Sequence, residues 1–185
     1  NGSYNMISAA STTMIRDLKV DGNKAGQTSG TMQGVYLASN STVSGVTITN
    51  IYGATGSGIK ISGKNNTVSG NTLTNNSYAG VYDFGGSTNG LNIITDNTVT
   101  GNAYGISVIA PSDIISNNVV SGGTAGILIS TYSKNIVTNN TVESNTYGVY
   151  LISGASNNIV KLNSINNNGD GTSTNNGIYL SAADS

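Results

Sequence analysis

The feature that most constrains this chain is a period. The frame apolar-x-x-Asn-x-apolar-x-x-Asn fits Val68/Asn71/Leu73/Asn76, Ile94/Asn97/Val99/Asn102, Val137/Asn140/Val142/Asn145 and Val160/Asn163/Ile165/Asn168. Ile115/Asn118/Val120 fits with Gly123 in the last place, and Ile15/Leu18/Val20/Asn23 and Val43/Val46/Ile48/Ile51 fit with an apolar residue replacing the first Asn. After each frame comes Gly-apolar-x-apolar, at Gly34, Gly58, Gly105, Gly126, Gly148 and Gly177, with a variant at Gly80. Successive glycines stand 24, 22, 25, 21, 22 and 29 residues apart. A unit of this length, made of three short alternating runs, cannot bury its apolar side alone and must stack on copies of itself.

Alternation within the glycine run puts Val35/Leu37, Ile59/Ile61, Ile106/Val108, Ile127/Ile129, Val149/Leu151 and Ile178/Leu180 on one side, which is read as the interior. Val, Ile and Leu each contribute about 1.5–3 kcal/mol when buried, so several per coil offset much of the ordering entropy. The spacing predicts an all-β fold: a right-handed, single-stranded parallel β-helix of about seven coils and three parallel sheets. Asn71, Asn97, Asn118, Asn140 and Asn163 fall at one corner of consecutive coils, where inward amides can bond to those above and below as a ladder. The glycine column is expected to supply a turn conformation that other residues resist.

Residues 1–185 read as a single β-helix domain. Ser3 to Ile7 resembles the end of a preceding coil, and only S-A-A-D-S follows the strand Gly177–Leu180. Uncapped ends of this kind predict a fragment or an assembly unit that meets flanking coils or other copies of itself. Only 8% of residues are charged and the net charge is −1, which gives no electrostatic basis for nucleic-acid binding. A mean hydropathy of −0.09 without a long apolar run predicts no membrane insertion. The chain has no cysteine and no histidine, which removes thiolate and imidazole chemistry and the commonest transition-metal ligands. No metal site and no cofactor are expected; calcium is compatible with the carboxylates, but no motif asks for it. Sequons at Asn40, Asn65, Asn75 and Asn139 and the Asn/Ser/Thr-rich, low-charge surface predict an extracellular or surface location.

Loop lengths indicate where binding chemistry sits on such a scaffold. The turn entering the glycine strand lengthens in the first coil (Asp21 to Gln33) and the last (Asn166 to Asn176), and the turn leaving it is longest from Phe84 to Asn92. These loops are expected to rim a shallow trough. The outward residues of that strand are Tyr36, Lys60, Tyr82, Ser107, Leu128, Tyr150 and Tyr179, with Tyr104 and Tyr147 just before their glycines and Tyr78 one residue further back. Tyrosine offers a flat face to sugar C–H groups and a hydroxyl to bond, so Tyr36, Lys60, Tyr82, Tyr104, Tyr147, Tyr150 and Tyr179 are the candidate carbohydrate-binding residues. Tyr is also an ordinary residue of half-exposed strands. For catalysis, Lys60 and Asp83 are the candidates: Lys60 would bind an acidic sugar while Asp83 acts as base or calcium ligand. Alternation turns Asp83 inward unless the strand bulges before Phe84, and a structural role toward Gly85-Gly86 is the competing reading.

The repeat resembles the parallel β-helix superfamily of pectate-lyase-like proteins, which includes phage tailspikes, alginate epimerases and surface proteins. Arg16-Asp17-Leu18-Lys19-Val20-Asp21-Gly22-Asn23 is similar to the R-D-L-x-x-D-G-N segment of mannuronan C5-epimerase modules and some tailspikes. The resemblance implies that the glycine-strand sheet is the substrate face and that Asp17 and Asp21 serve the scaffold. The acidic and histidine cluster that epimerases carry after an early glycine is missing from Ser57-Gly58-Ile59-Lys60-Ile61-Ser62-Gly63. Three functions follow: a tailspike- or adhesin-like module that recognises polysaccharide, a structural spacer or filament unit, and a polysaccharide lyase or C5-epimerase. The stacked pairs Thr47/Thr49, Thr72/Thr74 and Thr98/Thr100 add ice binding as a remote reading. Copper handling, implied by related repeat proteins, would have only Met6, Met14 and Met32 to draw on.

Overall fold

The computed structural model describes residues 2–152, 154–169 and 177–181. The chain winds as a solenoid of three parallel sheets. The glycine runs form an eight-stranded sheet in the order Tyr4–Ala9, Met32–Leu37, Ser57–Ile61, Ala79–Asp83, Tyr104–Val108, Ala125–Ile129, Tyr147–Leu151, Ile178–Leu180. The two halves of the asparagine frame form two seven-stranded sheets, one running from Met14–Arg16 to Ile159–Lys161 and the other from Lys19–Asp21 to Ser164–Asn166. These are called below the glycine sheet, the second sheet and the third sheet. Tyr4–Ala9 is a full strand paired in register with Met32–Leu37, so the N-terminal segment belongs to the first coil of the glycine sheet.

The interior is built from the predicted columns. Val35, Ile59, Val81, Ile106, Ile127 and Val149 are fully buried, as are Val43, Val68, Ile94, Ile115 and Val137 in the second sheet and Ile48, Leu73, Val99, Val120 and Val142 in the third. In-register pairing stacks each on its equivalent, as in Val99 between Leu73 and Val120. Ile178 and Leu180 share this register but remain 49% and 62% exposed, because their strand has a sheet neighbour on one side only.

The corners explain the recurrent Asn-Asn pairs. Each strand break has a residue in the left-handed region, followed at most of them by one whose side chain turns inward. At the corner between the second and third sheets the left-handed residues are Asp17, Gly45, Gly70, Asp96, Asn117, Asn139 and Leu162, with φ of 53° to 64°. Asn, Asp and Gly tolerate that conformation best, which accounts for six of those seven identities. In the last five of these the residue that follows is the ladder asparagine, and in the first two it is Leu18 and Val46. Nδ2 of Asn71, Asn97, Asn118 and Asn140 donates to Oδ1 of the next ladder residue at 2.9 Å, up to Asn163. The same Oδ1 accepts the backbone N–H of the residue it caps, as in Asn71 N–H to Asn97 Oδ1 at 3.0 Å, and the amide also reaches the Val68 carbonyl from Asn97. The ladder thereby pairs backbone N–H and carbonyl groups that the bend would otherwise leave buried without partners.

The other two corners carry ladders of their own. One runs through Asn76 and Asn102, is interrupted at Gly123, and resumes at Asn145 and Asn168. The other runs Asn66, Asn92, Asp113, Asn135 and Asn158, linked through backbone N–H to side-chain oxygen bonds of 2.8–2.9 Å. The glycine column has a different reason from the turn conformation expected of it. Gly34 lies inside a strand, and a Cβ there would stand 2.5 Å from the Gly58 carbonyl oxygen and 2.6 Å from Ile48 Cγ2. The requirement is for room between coils and core.

Candidate functional site

The outward column of the glycine sheet is in register from end to end: Tyr36 pairs with Lys60, Lys60 with Tyr82, Tyr82 with Ser107, Ser107 with Leu128, Leu128 with Tyr150 and Tyr150 with Tyr179. Toward the N-terminal coils this face opens into a shallow trough of about 370 Å³ lined by Ser3, Asn5, Thr31, Gln33, Tyr36 and Lys60, among others. Its walls are held by their own hydrogen bonds. Ser3 Oγ accepts the Thr31 N–H at 3.1 Å, while the buried Gln33 amide donates to the Thr55 carbonyl at 3.1 Å and accepts the Ser57 N–H at 3.2 Å. The long incoming turn of the first coil, which folds a short 3-10 helix over Lys24–Gly26, delivers Thr31 to the rim. The lengthened incoming turn expected of the last coil, Asn166 to Asn176, lies outside the described residues from 170 onward.

Beside the trough stands an aromatic cluster. Tyr78 lies edge-on to Tyr82 and Tyr104, with ring centroids 4.9 and 5.1 Å away, and Phe84 packs at 5.5 Å from Tyr82. Lys60 Nζ sits 5.6 Å from the Tyr82 centroid and 5.1 Å from that of Phe84, so its charge is held on an aromatic base rather than by a carboxylate. Tyr82, expected to be open, is only 6% exposed, because its neighbours close over it. Burial, reinforced by the nearby Tyr78 hydroxyl, pushes the Tyr82 hydroxyl up to about 12. Burial also raises Tyr78, against the lowering effect of the Ser107 hydroxyl beside it. Tyr78 is thus the centre of the cluster, and Phe84 its outer edge. Extending the alternation from Tyr82 through inward Asp83 would have placed Phe84 on this face.

Tyr147, Tyr150 and Tyr179 form a separate cluster toward the C-terminal coils, with centroids 4.8, 5.1 and 5.4 Å apart and all three rings half-buried. Burial and then the neighbouring Tyr179 and Tyr147 hydroxyls raise the Tyr150 hydroxyl. Between the clusters the column is floored by Ser107, fully buried, and Leu128, 7% exposed.

Asp83 and Lys60 do not share a site. Asp83 has no exposed surface and turns inward as alternation demands, away from the face that carries Lys60. Its Oδ1 accepts the Gly85 N–H at 2.9 Å and its Oδ2 the Asn92 side-chain N–H at 2.6 Å. It lies against Asp113, the acid that replaces asparagine in the third ladder. Asp113 is also fully buried, and its Oδ2 has no hydrogen-bond partner. Burial, then the neighbouring Asp83 charge, pushes the Asp113 carboxyl up to about 9, so it is neutral at pH 7 and its proton is the donor this position otherwise lacks. Asp83 is raised as well, chiefly by burial. The Phe84–Asn92 loop folds against neighbouring coils, with Gly86 N–H on the Ile109 carbonyl and Asn89 Nδ2 on the Ser62 carbonyl. Phe84 of that loop reaches the outer face beside Lys60 and Tyr82.

The threonine pairs are stacked in register on the third sheet, Thr47 on Thr72 on Thr98 and Thr49 on Thr74 on Thr100, and then give way to Val119/Ser121. In the Arg16–Asn23 segment, Asp21 Oδ1 accepts the Asn23 N–H at 2.8 Å and the Asn50 side-chain N–H at 3.3 Å, bonds that fix a turn. Among the described residues, no three of His, Cys, Asp and Glu come together to hold a metal ion, and no helix is long and apolar enough to cross a membrane.

Two solved structures share this fold. The A-module of the Azotobacter vinelandii mannuronan C-5 epimerase AlgE4 superimposes with a TM-score of 0.57 at 18% identity, covering 88% of this chain and 55% of its own. The AlgE6 A-module of the same organism gives 0.55 at 18% identity, with 96% and 57% covered. The chain therefore spans little more than half the length of either module. No curated protein matches it in sequence. The family described as right handed beta helix region matches residues 88–185, which cover the last four coils. Together with the parallel three-sheet winding and the asparagine ladders, that match identifies the chain as a member of the right-handed β-helix family.

Proposed function

We propose that this chain is a polysaccharide-recognition module whose ligand lies along the outer face of the glycine sheet, centred on Tyr36 and Lys60. The observation that carries this reading is the trough itself. It brings hydroxyl and amide groups, tyrosine rings and one ammonium on to a shallow, open surface. Hydroxyls and amides match sugar hydroxyls, rings match the C–H faces, and Lys60 favours a glycan bearing carboxylates. The likeness to modules named for mannuronan, a polysaccharide, supports the same ligand class.

Catalysis on that face is the second reading, and the same likeness favours it. It requires a proton-transfer pair within reach of the sugar. Asp83 is turned into the core, and the Tyr82 hydroxyl holds its proton up to about 12, so recognition stands first. We further propose that the module works at a cell or virion surface. All four sequon asparagines, Asn40, Asn65, Asn75 and Asn139, are exposed, and fractionation of the native source would test the location.

The test is binding to a glycan array and to oligomannuronates and cello-oligosaccharides. Tyr36→Ala and Lys60→Ala are expected to weaken binding about tenfold each, whereas Thr72→Ala on the third sheet leaves it unchanged. No binding by the intact protein, or equal loss from all three variants, would favour a structural spacer.

A further inference from the structure

We propose that the glycine sheet carries a second, remote subsite, the Tyr147/Tyr150/Tyr179 platform, and that it reads the length of a polysaccharide lying along the solenoid axis. This inference rests on the reading of the trough as a polysaccharide site and adds to it the direction and minimum length of the ligand.

Three observations carry it. First, seven rings of this face are gathered into two groups, one of Tyr78, Tyr82, Tyr104 and Phe84 and one of Tyr147, Tyr150 and Tyr179, with Tyr36 apart from both at the trough. A tyrosine column that served only strand propensity would have no reason to gather in this way. Second, one straight in-register column runs through both groups, with Tyr82 and Tyr150 separated by the rows of Ser107 and Leu128. Ser107 and Leu128 expose almost no surface, and the neighbouring column changes from Tyr104 to Ala125 and back to Tyr147. The Leu128 row between the two platforms therefore carries no aromatic ring on either column. Third, the coil repeat matches the ligand. Adjacent parallel strands lie about 4.8 Å apart, close to the length of one pyranose unit in an extended 1,4-linked chain, so Tyr82 and Tyr150 stand about three sugar units apart, roughly 14 Å.

The two platforms differ in chemistry. The first has the Lys60 ammonium above its rings and the polar trough alongside. The second offers three half-buried rings with their hydroxyls close enough together to affect one another. It therefore reads sugar faces and hydroxyls. A short oligosaccharide can occupy one platform at a time. One that spans both gains the second contact intramolecularly, at high effective concentration, so affinity rises in a step rather than smoothly with length.

The test uses 1,4-linked oligouronates and cello-oligosaccharides of two to ten units, titrated against the whole chain by calorimetry. For the wild-type protein, affinity is expected to stay low up to about four units and to rise about tenfold by six or seven. Tyr150→Ala should abolish that rise while short oligomers still bind at the trough, and Tyr179→Ala should do the same. Circular dichroism melting of each variant confirms that the solenoid persists. Tyr36→Ala should weaken short and long oligomers alike. A smooth length dependence, or a step that survives both Tyr150→Ala and Tyr179→Ala, would overturn the second subsite and leave the trough intact. No binding of any oligomer would overturn the polysaccharide reading itself, and the second subsite with it.

Discussion

Replacing Asp113 with asparagine is expected to stabilise this protein, and to do so more at higher pH. Asp113 holds a ladder position: its Oδ1 accepts the Asn92 N–H at 2.8 Å, and its own N–H donates to Asn135 Oδ1 at 2.8 Å. Its Oδ2 stands where an asparagine would offer Nδ2, and it is buried against a second acid, Asp83. Only a bound proton makes that oxygen a donor, and the folded state holds this proton up to about pH 9 against an ordinary value of 3.8. Between those values the folded chain binds a proton that the unfolded chain has released. The stabilisation from this group is thus complete below about pH 4, falls as pH rises, and is lost once pH passes about 9. The slope has a ceiling of about 1.4 kcal/mol per pH unit, and the three or so units from the ordinary value to pH 7 set a limit of about 4 kcal/mol. Because Asp83 shares the proton and the loop can relax, about 1–3 kcal/mol is the expected gain of Asp113→Asn at neutral pH. For a chain of this length that corresponds to about 3–10 °C in melting temperature. Urea and thermal denaturation from pH 5 to 9 would measure it. The wild type should lose stability across the series, and the variant should be flatter and more stable at pH 8. A variant that is less stable at pH 8, or that keeps the wild-type slope, would refute the neutral-acid assignment.

Asn97→Ala removes an amide that donates to Asn118 and the Val68 carbonyl and accepts from Asn71, leaving several buried groups unpaired; a loss of about 3–5 kcal/mol is expected in urea denaturation. Gly34→Ala places a methyl group 2.5 Å from the Gly58 carbonyl oxygen, so the first two coils should loosen at a cost of about 1–3 kcal/mol, visible as faster amide exchange in Ser57–Ile61.

Much of the candidate face could be read from the sequence because outward residues of successive coils become neighbours once the register is known. Tyr36, Lys60, Tyr82, Tyr150 and Tyr179 fell on one column by counting alone. Whether a residue on that column is open was not legible. It depends on side-chain directions and on rings arriving from other columns, which is why Tyr82 is closed over by Tyr78 and Phe84, and why Lys60 rests on rings instead of beside Asp83.

The sequence by itself determined the winding. The period, the alternating apolar runs and the Asn, Asp or Gly before most inward amides are local requirements, repeated because every coil meets a copy of itself. A ladder asparagine needs only another asparagine one coil away, and the frame supplies it. The third ladder, Asn66, Asn92, Asp113, Asn135 and Asn158, stands five residues before the first in every coil and keeps its spacing, but it lies outside the apolar frame and an acid interrupts its asparagines. Only the tertiary structure decided where unlike residues meet. Asp83 ends a glycine-sheet strand and Asp113 holds the ladder position of the next coil at the same corner, and nothing in either neighbourhood announces the other. The gathering of seven scattered aromatic residues into two platforms is of the same kind. Repetition makes contacts between like residues readable from a one-dimensional pattern, whereas a contact between unlike residues depends on loop length and side-chain direction, which the pattern leaves free.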